Sequence, residues 1–371
     1  MSERFCAVVS PGLAPFAAAE LGRLNLGAKG LEFEGGPREL YSASLRLRTA
    51  DRLLLKLGEF PAAAFPPLAH GALRLPWERV LAPERPVAFR VSVVKSKLYH
   101  ERAIAERLAA AVERRLGRAS PVGKYDENSN EPQPQLFFVR MERDRCSVFA
   151  DASGALLHKR GYRLATAKAP LRETMASALV TASGWTPDAP LLDPFCGSGT
   201  IAIEAALMAR RRAPGFSRRF AFMDWPGFDA AAALWEELKE EARRAAINMP
   251  LTILASDRDA GAIRAAKANA ERAGVADAIQ FSCRALSAVE PPAAKGWIVT
   301  NPPYGVRVGE KKPLRDLYSA LGSVLRERCP GWRATILSAD ARLLAASGLE
   351  LKEGAPMMNG GLTVRPAGGL V

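Results

Sequence analysis

No stretch of the 371-residue chain approaches the ~18 consecutive apolar residues of a membrane-spanning helix. Its opening, Met1-Ser2-Glu3-Arg4-Phe5, lacks the charged-then-apolar order of a secretory signal. Both absences point to the cytoplasm. Cysteine is scarce and scattered: Cys6, Cys146, Cys196, Cys283 and Cys329 are odd in number and form no C-x-x-C pair. That argues against a disulfide framework or a zinc site and fits a reducing compartment, with no metal expected. Internal repeats and long low-complexity segments are also missing, although residues 61–86 are proline-rich.

What is present is enough apolar residue, 48%, to bury at least one full core. At roughly 150 residues per domain, two or three domains are expected. Lys and Arg exceed Asp and Glu by 52 − 39 = 13, the electrostatic profile of a protein drawn to phosphate backbones, although an Arg-rich composition can also reflect base composition.

The first ~160 residues carry no glycine-rich cofactor loop and alternate strand-like runs with helices, as in an α+β module. Residues 87–94 read as a strand. A helix from Tyr99 to Leu116 follows, with Ile104, Leu108, Ala111 and Val112 on one face and a stop at Gly117. Val148-Phe149-Ala150, a turn at Asp151-Ala152-Ser153-Gly154, and Ala155-Leu156-Leu157 read as a hairpin. Then comes His158-Lys159-Arg160-Gly161-Tyr162-Arg163. Cations interleaved with an aromatic ring suit RNA contact through Lys159, Arg160, Tyr162 and Arg163, while a short cationic strand edge is the structural alternative. Beyond a helix at 170–183, strands and helices alternate regularly, the signature of a doubly wound parallel sheet.

Leu191-Leu192-Asp193 ends the first strand of that sheet and runs into Pro194-Phe195-Cys196-Gly197-Ser198-Gly199-Thr200. Two glycines let a strand-to-helix turn press against a ligand. The loop departs from the dinucleotide fingerprint, and no G-K-[ST] follows, so a phosphate-rich cofactor fits poorly. S-adenosylmethionine has no phosphates; it needs close backbone approach and a carboxylate near its positive groups, which Asp193 supplies. The second strand, 251–255, leads into Ser256-Asp257-Arg258-Asp259, placing Asp257 where a ribose diol would sit and Asp259 as the cap of the next helix.

The third motif-bearing strand, Ile298-Val299-Thr300, ends in Asn301-Pro302-Pro303-Tyr304-Gly305. The prolines fix the backbone and remove N–H donors, leaving carbonyl oxygens exposed to a ligand. A ring-attached amino group is a poor nucleophile because its lone pair is delocalised. The Asn301 side-chain oxygen and the Pro302 carbonyl can accept its hydrogens, and Tyr304 offers a stacking face worth ~1–3 kcal/mol, which helps offset the extrusion of a base. Alone, Pro302-Pro303 would be a loop rigidifier. The order of glycine loop, acid and Asn-Pro-Pro-Tyr, each after a strand, gives them one site. Cys196 and Cys283 lie outside the acceptor loop and are not read as nucleophiles.

On these residues the chain resembles the bacterial THUMP-domain RNA methyltransferases that form N2-methylguanosine in ribosomal or transfer RNA. The matching segments are 40–48, Asp151 to Arg163, Pro170-Leu171-Arg172-Glu173, Asp193 to Thr200, Asp257-Arg258-Asp259, and Asn301 to Arg307. The resemblance implies an N-terminal ferredoxin-like piece (1–60), a THUMP RNA-binding module (61–162, its signature beginning near 42) and a methyltransferase domain (163–371). The expected fold class is thus a Rossmann-like α/β domain with an antiparallel C-terminal strand, preceded by an α+β module. It further implies that 193–200, Asp257, Arg258 and Asn301 bind S-adenosylmethionine and that Asn301, Pro302, Pro303 and Tyr304 hold the acceptor.

Residues 209–235 resemble the family's insertion. There, Arg210, Arg211, Arg212, Arg218 and Arg219 with Phe220, Phe222 and Trp225 could contact RNA, or the aromatics could pack inward. The segment 281–286 lacks the acid that the family commonly places near the adenine. Two other readings stay open: methylation of the adenine N6 amino group in DNA or RNA, and an RNA-binding protein with a decayed methyltransferase domain.

Overall fold

The computed structural model describes residues 2–82, 84–127, 129, 131–164, 171–304 and 311–371. The N-terminal part runs β1 (Glu3–Val8), α1 (Ala14–Arg23), β2 (Glu32–Gly35), α2 (Pro37–Arg46), β3 (Arg52–Pro61), α3 (Phe65–Leu73), β4 (Val87–Val94), α4 (Glu101–Leu116), β5 (Gln135–Glu142) and β6 (Arg145–Asp151). Its strands form one six-stranded sheet in the order β2-β1-β3-β6-β5-β4. Only β4 and β5 are parallel neighbours, joined through α4; the other pairs are antiparallel. Helix α4 buries Ile104, Leu108, Ala111 and Val112 and ends at Gly117 in the left-handed conformation, φ 66°. The expected limit at residue 60 falls inside β3, and strands from either side of it share one sheet and one core.

The hairpin expected from 148–150 and 155–157 is corrected. Strand β6 pairs instead with β5, through Arg143 and Asp144, whose φ values of 48° and 60° suit a two-residue hairpin turn. Its other neighbour is β3. Asp151, expected to open a turn, is ion-paired with buried Arg52 and accepts from Ser153 N at 2.9 Å. The 155–157 segment returns to the start of β3, with Leu157 N donating to Asp51 O at 2.9 Å.

The second part contains α5 (Glu173–Ser183), β7 (Leu191–Asp193), α6 (Thr200–Ala209), α7 (Phe228–Ala245), β8 (Ile253–Asp257), α8 (Ala260–Ala273), β9 (Ile279–Cys283), β10 (Trp297–Thr300), α9 (Lys311–Arg328), β11 (Arg333–Ser338), α10 (Ala341–Ala346), β12 (Lys352–Glu353), β13 (Met357–Asn359) and β14 (Leu362–Leu370). Pro170 and 305–307 of the sequence motifs lie outside the described residues. The sheet order is β12-β14-β11-β10-β7-β8-β9, with β13 paired to β14. Strands β9, β8, β7, β10 and β11 are parallel, and β14 lies antiparallel on β11. From β7 the chain winds outward through β8 and β9, then jumps back to β10 on β7's other side. That reversal opens a crevice at the carboxyl ends of β7 and β10, where open α/β sheets bind ligands.

The insertion docks the two parts. Phe220 and Phe222 are buried, Phe222 stacks on Tyr41 of α2 at 4.5 Å, and Trp235 of α7 meets Tyr41 edge-on at 5.8 Å. Of the two readings of these aromatics, inward packing is what the structure shows.

Candidate active site

Asp193 closes β7 with no exposed surface. One carboxylate oxygen, Oδ1, accepts from Thr300 Oγ1 at 2.7 Å and from Phe195 N at 3.2 Å. The other, Oδ2, is buried without a partner. Burial pushes this carboxyl up to about 7; the Thr300 and Phe195 donors pull against that shift and nearby Asp257 adds to it.

The loop after Asp193 is fastened from both sides. Gly197 N donates to Asp257 Oδ2 at 3.0 Å, Cys196 N to Ser256 O at 3.0 Å, and Asn269 Nδ2 to Ser198 O at 3.0 Å. Gly199, at φ 84°, lies where a Cβ would sit 3.0 Å from Ala266 Cβ, so only glycine lets α6 start against α8. Gly197, at φ 51°, faces open space on its side-chain side, as a backbone cradle for a ligand requires. Pro194, Ser198 and Thr200 are buried and Phe195 half-buried in the same loop.

Asp257 ends β8; its Oδ1 accepts from Asp259 N at 2.9 Å. Asp259 caps α8 through Gly261 N and Ala262 N, as its position in the sequence predicts. Arg258 is exposed beside them. At the end of β9 the exposed Cys283 donates to Arg258 O at 3.6 Å, and 281–286 brings no carboxylate.

Across the crevice, Asn301 leaves the end of β10 half-buried, and its Oδ1 is buried without a partner. Pro302 is buried and Pro303 exposed. Tyr304 is half-buried between the two cores of the catalytic part, and its hydroxyl accepts from Asn359 Nδ2 at 3.1 Å. The Thr300–Asp193 bond ties β10 to β7. Thr300 and Asn359 were not singled out in the sequence. The signals were a lone hydroxyl in an apolar strand, and Asn-Gly-Gly between two short strands. Cys196 is buried, and burial holds its thiol far above the usual range, which removes it as a nucleophile.

The cationic segment is corrected at Arg160 and Tyr162. Arg160 and Tyr162 are buried, at 5% and 4% exposure. Arg160 donates to Leu157 O and Arg48 O, and Tyr162 donates to Glu204 Oε1 at 3.0 Å. Arg163 is held by Leu171 O at 2.8 Å and Glu173 at 3.3 Å, and Lys159 by Glu127 O. Burial and four neighbouring cations push His158 down to about 3, so it is neutral. These residues cross between the two parts of the chain, and their charges satisfy interior carbonyls and carboxylates. Of the expected RNA contacts, Arg211 is exposed and Arg212 half-buried.

A buried carboxylate oxygen without a partner, an open glycine cradle and a second buried acceptor thus face one sheet switch point, a set whose chemistry fits the cationic cofactor S-adenosylmethionine. Residues 160–365 match the RMKL-like methyltransferase domain, and the chain belongs to that family. It is similar to a Synechocystis protein assigned as an RNA methyltransferase, 35% identical over 96% of this chain and 94% of the other. It is 34% identical to the ribosomal RNA large subunit methyltransferase K/L of Psychromonas ingrahamii over 94% of this chain but 48% of that one, so it spans about half of that relative.

Two solved structures share the fold over 99% of the chain. One, from Listeria monocytogenes, is assigned as an N6-adenine-specific DNA methylase (33% identical, TM-score 0.86, 96% of its chain). The other is a methyltransferase solved with S-adenosylhomocysteine (31% identical, TM-score 0.85, 97% of its chain). The chain is an S-adenosylmethionine-dependent methyltransferase. No helix among the described residues is long and apolar enough to cross a membrane, and no cluster of three or more metal-ligating side chains occurs among them.

Proposed function

We propose that this enzyme methylates the exocyclic 2-amino group of a guanosine in structured RNA, ribosomal or transfer, by direct transfer. The observation that carries this reading is the buried Asn301 Oδ1 with no partner, placed one residue from Thr300 and its bond to the cofactor-side Asp193. An unpartnered buried acceptor costs ~1–3 kcal/mol, so it awaits a donor. An amino group of a flipped base is such a donor.

S-adenosylmethionine supplies an electrophilic methyl group. Asp193 Oδ2 would take up the cofactor's positive charge, Asp257 and the open side of Gly197 would hold the rest, and Arg258 lies at the rim. Asn301 Oδ1 and the Pro302 carbonyl would accept the amine's hydrogens and localise the nitrogen lone pair; as the N–C bond forms the S–C bond breaks to leave a neutral thioether, and the nitrogen's surplus proton passes to water. Pro303 stiffens the turn, and Tyr304, oriented by Asn359, stacks on the base. The six-stranded N-terminal module, in which the ferredoxin-like and THUMP-like pieces share one sheet, acts as the RNA grip, and the excess of 13 positive charges supports a polyanionic partner.

The test is transfer of labelled methyl from S-adenosylmethionine to total RNA, followed by nucleoside analysis. Labelled N2-methylguanosine is expected. The likeness to the Listeria protein favours adenine N6 as the second reading; label appearing in N6-methyladenine of DNA, with none in guanosine, establishes it and removes the first.

A further inference from the structure

A cavity of about 400 Å³ lies away from the transfer site, among the carboxyl ends of α6, α7 and α8. Helix α6 leaves the cofactor loop at Thr200, and Leu207 near its far end lines the cavity. At 1.5 Å rise per residue, roughly 10–15 Å separates the two. Besides Arg160, whose guanidinium is spent on Leu157 O and Arg48 O, the cavity is lined by Arg212, Arg243 and Arg272 above an apolar floor that includes Leu207, Pro214 and Ala246, and no carboxylate belongs to the lining.

The three guanidiniums are differently held. Arg272 donates to Tyr162 O at 2.7 Å and to Asn269 Oδ1, both neutral acceptors. Arg243 sits over the Phe216 ring at 5.3 Å beside Lys239 and is ion-paired with Glu240 on its own helix. Arg212 places Nη1 beside Gly274, and the acid it influences, Asp277, is already taken bidentately by Arg210 at 2.8 and 2.6 Å. The local positive charge therefore exceeds what neighbouring acids neutralise, in a recess of the size that takes a small ligand. Arginine forks fit phosphate, and the apolar floor fits a base or ribose.

From this geometry we infer a second binding site, for a nucleoside phosphate, distinct from the methyl-transfer crevice. The shared chemistry has two sources, a nucleotide within an RNA strand and a free mononucleotide. The former rests on the proposed RNA reading. Because the walls come from the connector (Arg160, Tyr162), the insertion (Arg212, Phe216) and α8 (Arg272), an occupied site clamps the catalytic part to the segment that docks the N-terminal module.

The experiment titrates the full chain with a short 5′-phosphorylated oligouridine and, separately, with GMP, comparing wild type, Arg243→Gln and Arg212→Ala/Arg243→Ala. S-adenosylmethionine titrated into each variant checks folding, since the cofactor loop is remote. The double variant is expected to bind the oligonucleotide at least tenfold more weakly, with a salt slope shallower by roughly 0.7–1.4, as for one or two lost phosphate contacts on a single strand. The exposed Arg243→Gln alone should show a smaller loss in the same direction. Loss for the oligonucleotide only assigns the site to an RNA strand; loss for GMP as well assigns it to nucleotides in general. Unchanged affinity and slope for both ligands overturn the site. Absence of N2-methylguanosine in the transfer assay, with oligonucleotide binding still lost in the double variant, removes the acceptor assignment and leaves this site standing.

Discussion

Asp193 combines full burial, a partnerless oxygen and a carboxyl pushed up to about 7. Its ionised form is the one that pairs with a cationic cofactor. Affinity for S-adenosylmethionine should therefore rise as pH rises through 7, by roughly tenfold between pH 6 and pH 8 for one such group. Calorimetry across that window checks it, and Asp193→Asn should bind more weakly with a flat profile. An identical slope in the variant would assign the pH dependence elsewhere. The sign for stability is opposite. The native carboxyl holds its proton up to about 7 while the unfolded one releases it near 3.8, so this group's contribution to cofactor-free stability falls as pH climbs from about 4 to 7. Asn301→Ala tests the other orphan oxygen. Losing an acceptor that matters most as charge develops should lower the transfer rate on the order of 10²–10³-fold, with RNA affinity nearly unchanged in a filter-binding assay. Equal loss of both would make Asn301 a structural residue.

Between elements, the Thr300 bond joins β10 to β7 across the switch point. Thr300→Val removes a donor that lowers the Asp193 pKa. The midpoint of the cofactor pH profile should move up, and an unmoved midpoint would show that the hydroxyl does not tune the carboxylate. These elements were legible in the sequence because their signals are local: apolar runs for β7, β8 and β10, Asp259 and Gly274 bracketing α8, and glycines at 197 and 199. What the sequence hid depends on distant partners. Asp151 resembled a turn residue, yet its decisive contact is Arg52, 99 positions away. Arg160 and Tyr162 looked like an RNA-facing stripe, and only the approach of Arg48 and Glu204 buries them. The insertion's aromatics gave no sign that α2 would cover them. Gly215, there, has Ser44 O 2.5 Å and Leu45 Cα 2.9 Å from where a Cβ would stand. Gly215→Ala should lower stability by ~1–3 kcal/mol in urea denaturation, as overpacking against unyielding backbone does; wild-type stability would mean that the insertion can shift away from α2.

At the scale of the molecule, both parts converge on one carboxylate. Glu204, on the helix that begins at the cofactor loop, has no exposed surface. Its oxygens accept from Tyr162 Oη of the connector at 3.0 Å and from Ser177 Oγ of α5 at 2.7 Å. Guanidinium nitrogens of Arg48, from the N-terminal part, and of Arg160 stand 3.8 Å away. Arg48 also donates to Leu207 O at 3.3 Å and to Arg212 O, so the same side chain grips the last turn of α6 and the segment that follows it. Replacing a buried ion pair wholesale can be neutral, but removing only its acid leaves two cations without compensation. Glu204→Leu should therefore cost ~3–5 kcal/mol, measured by urea unfolding of the full chain, and Glu204→Gln, which keeps a carbonyl acceptor for Tyr162 and Ser177, should cost less. If the carboxylate couples the module to the catalytic part, the leucine variant should also split a single unfolding transition into two, because the N-terminal sheet and the Rossmann-like sheet retain separate cores. A single transition at wild-type midpoint would place the coupling in the aromatic contact between α2 and the insertion instead.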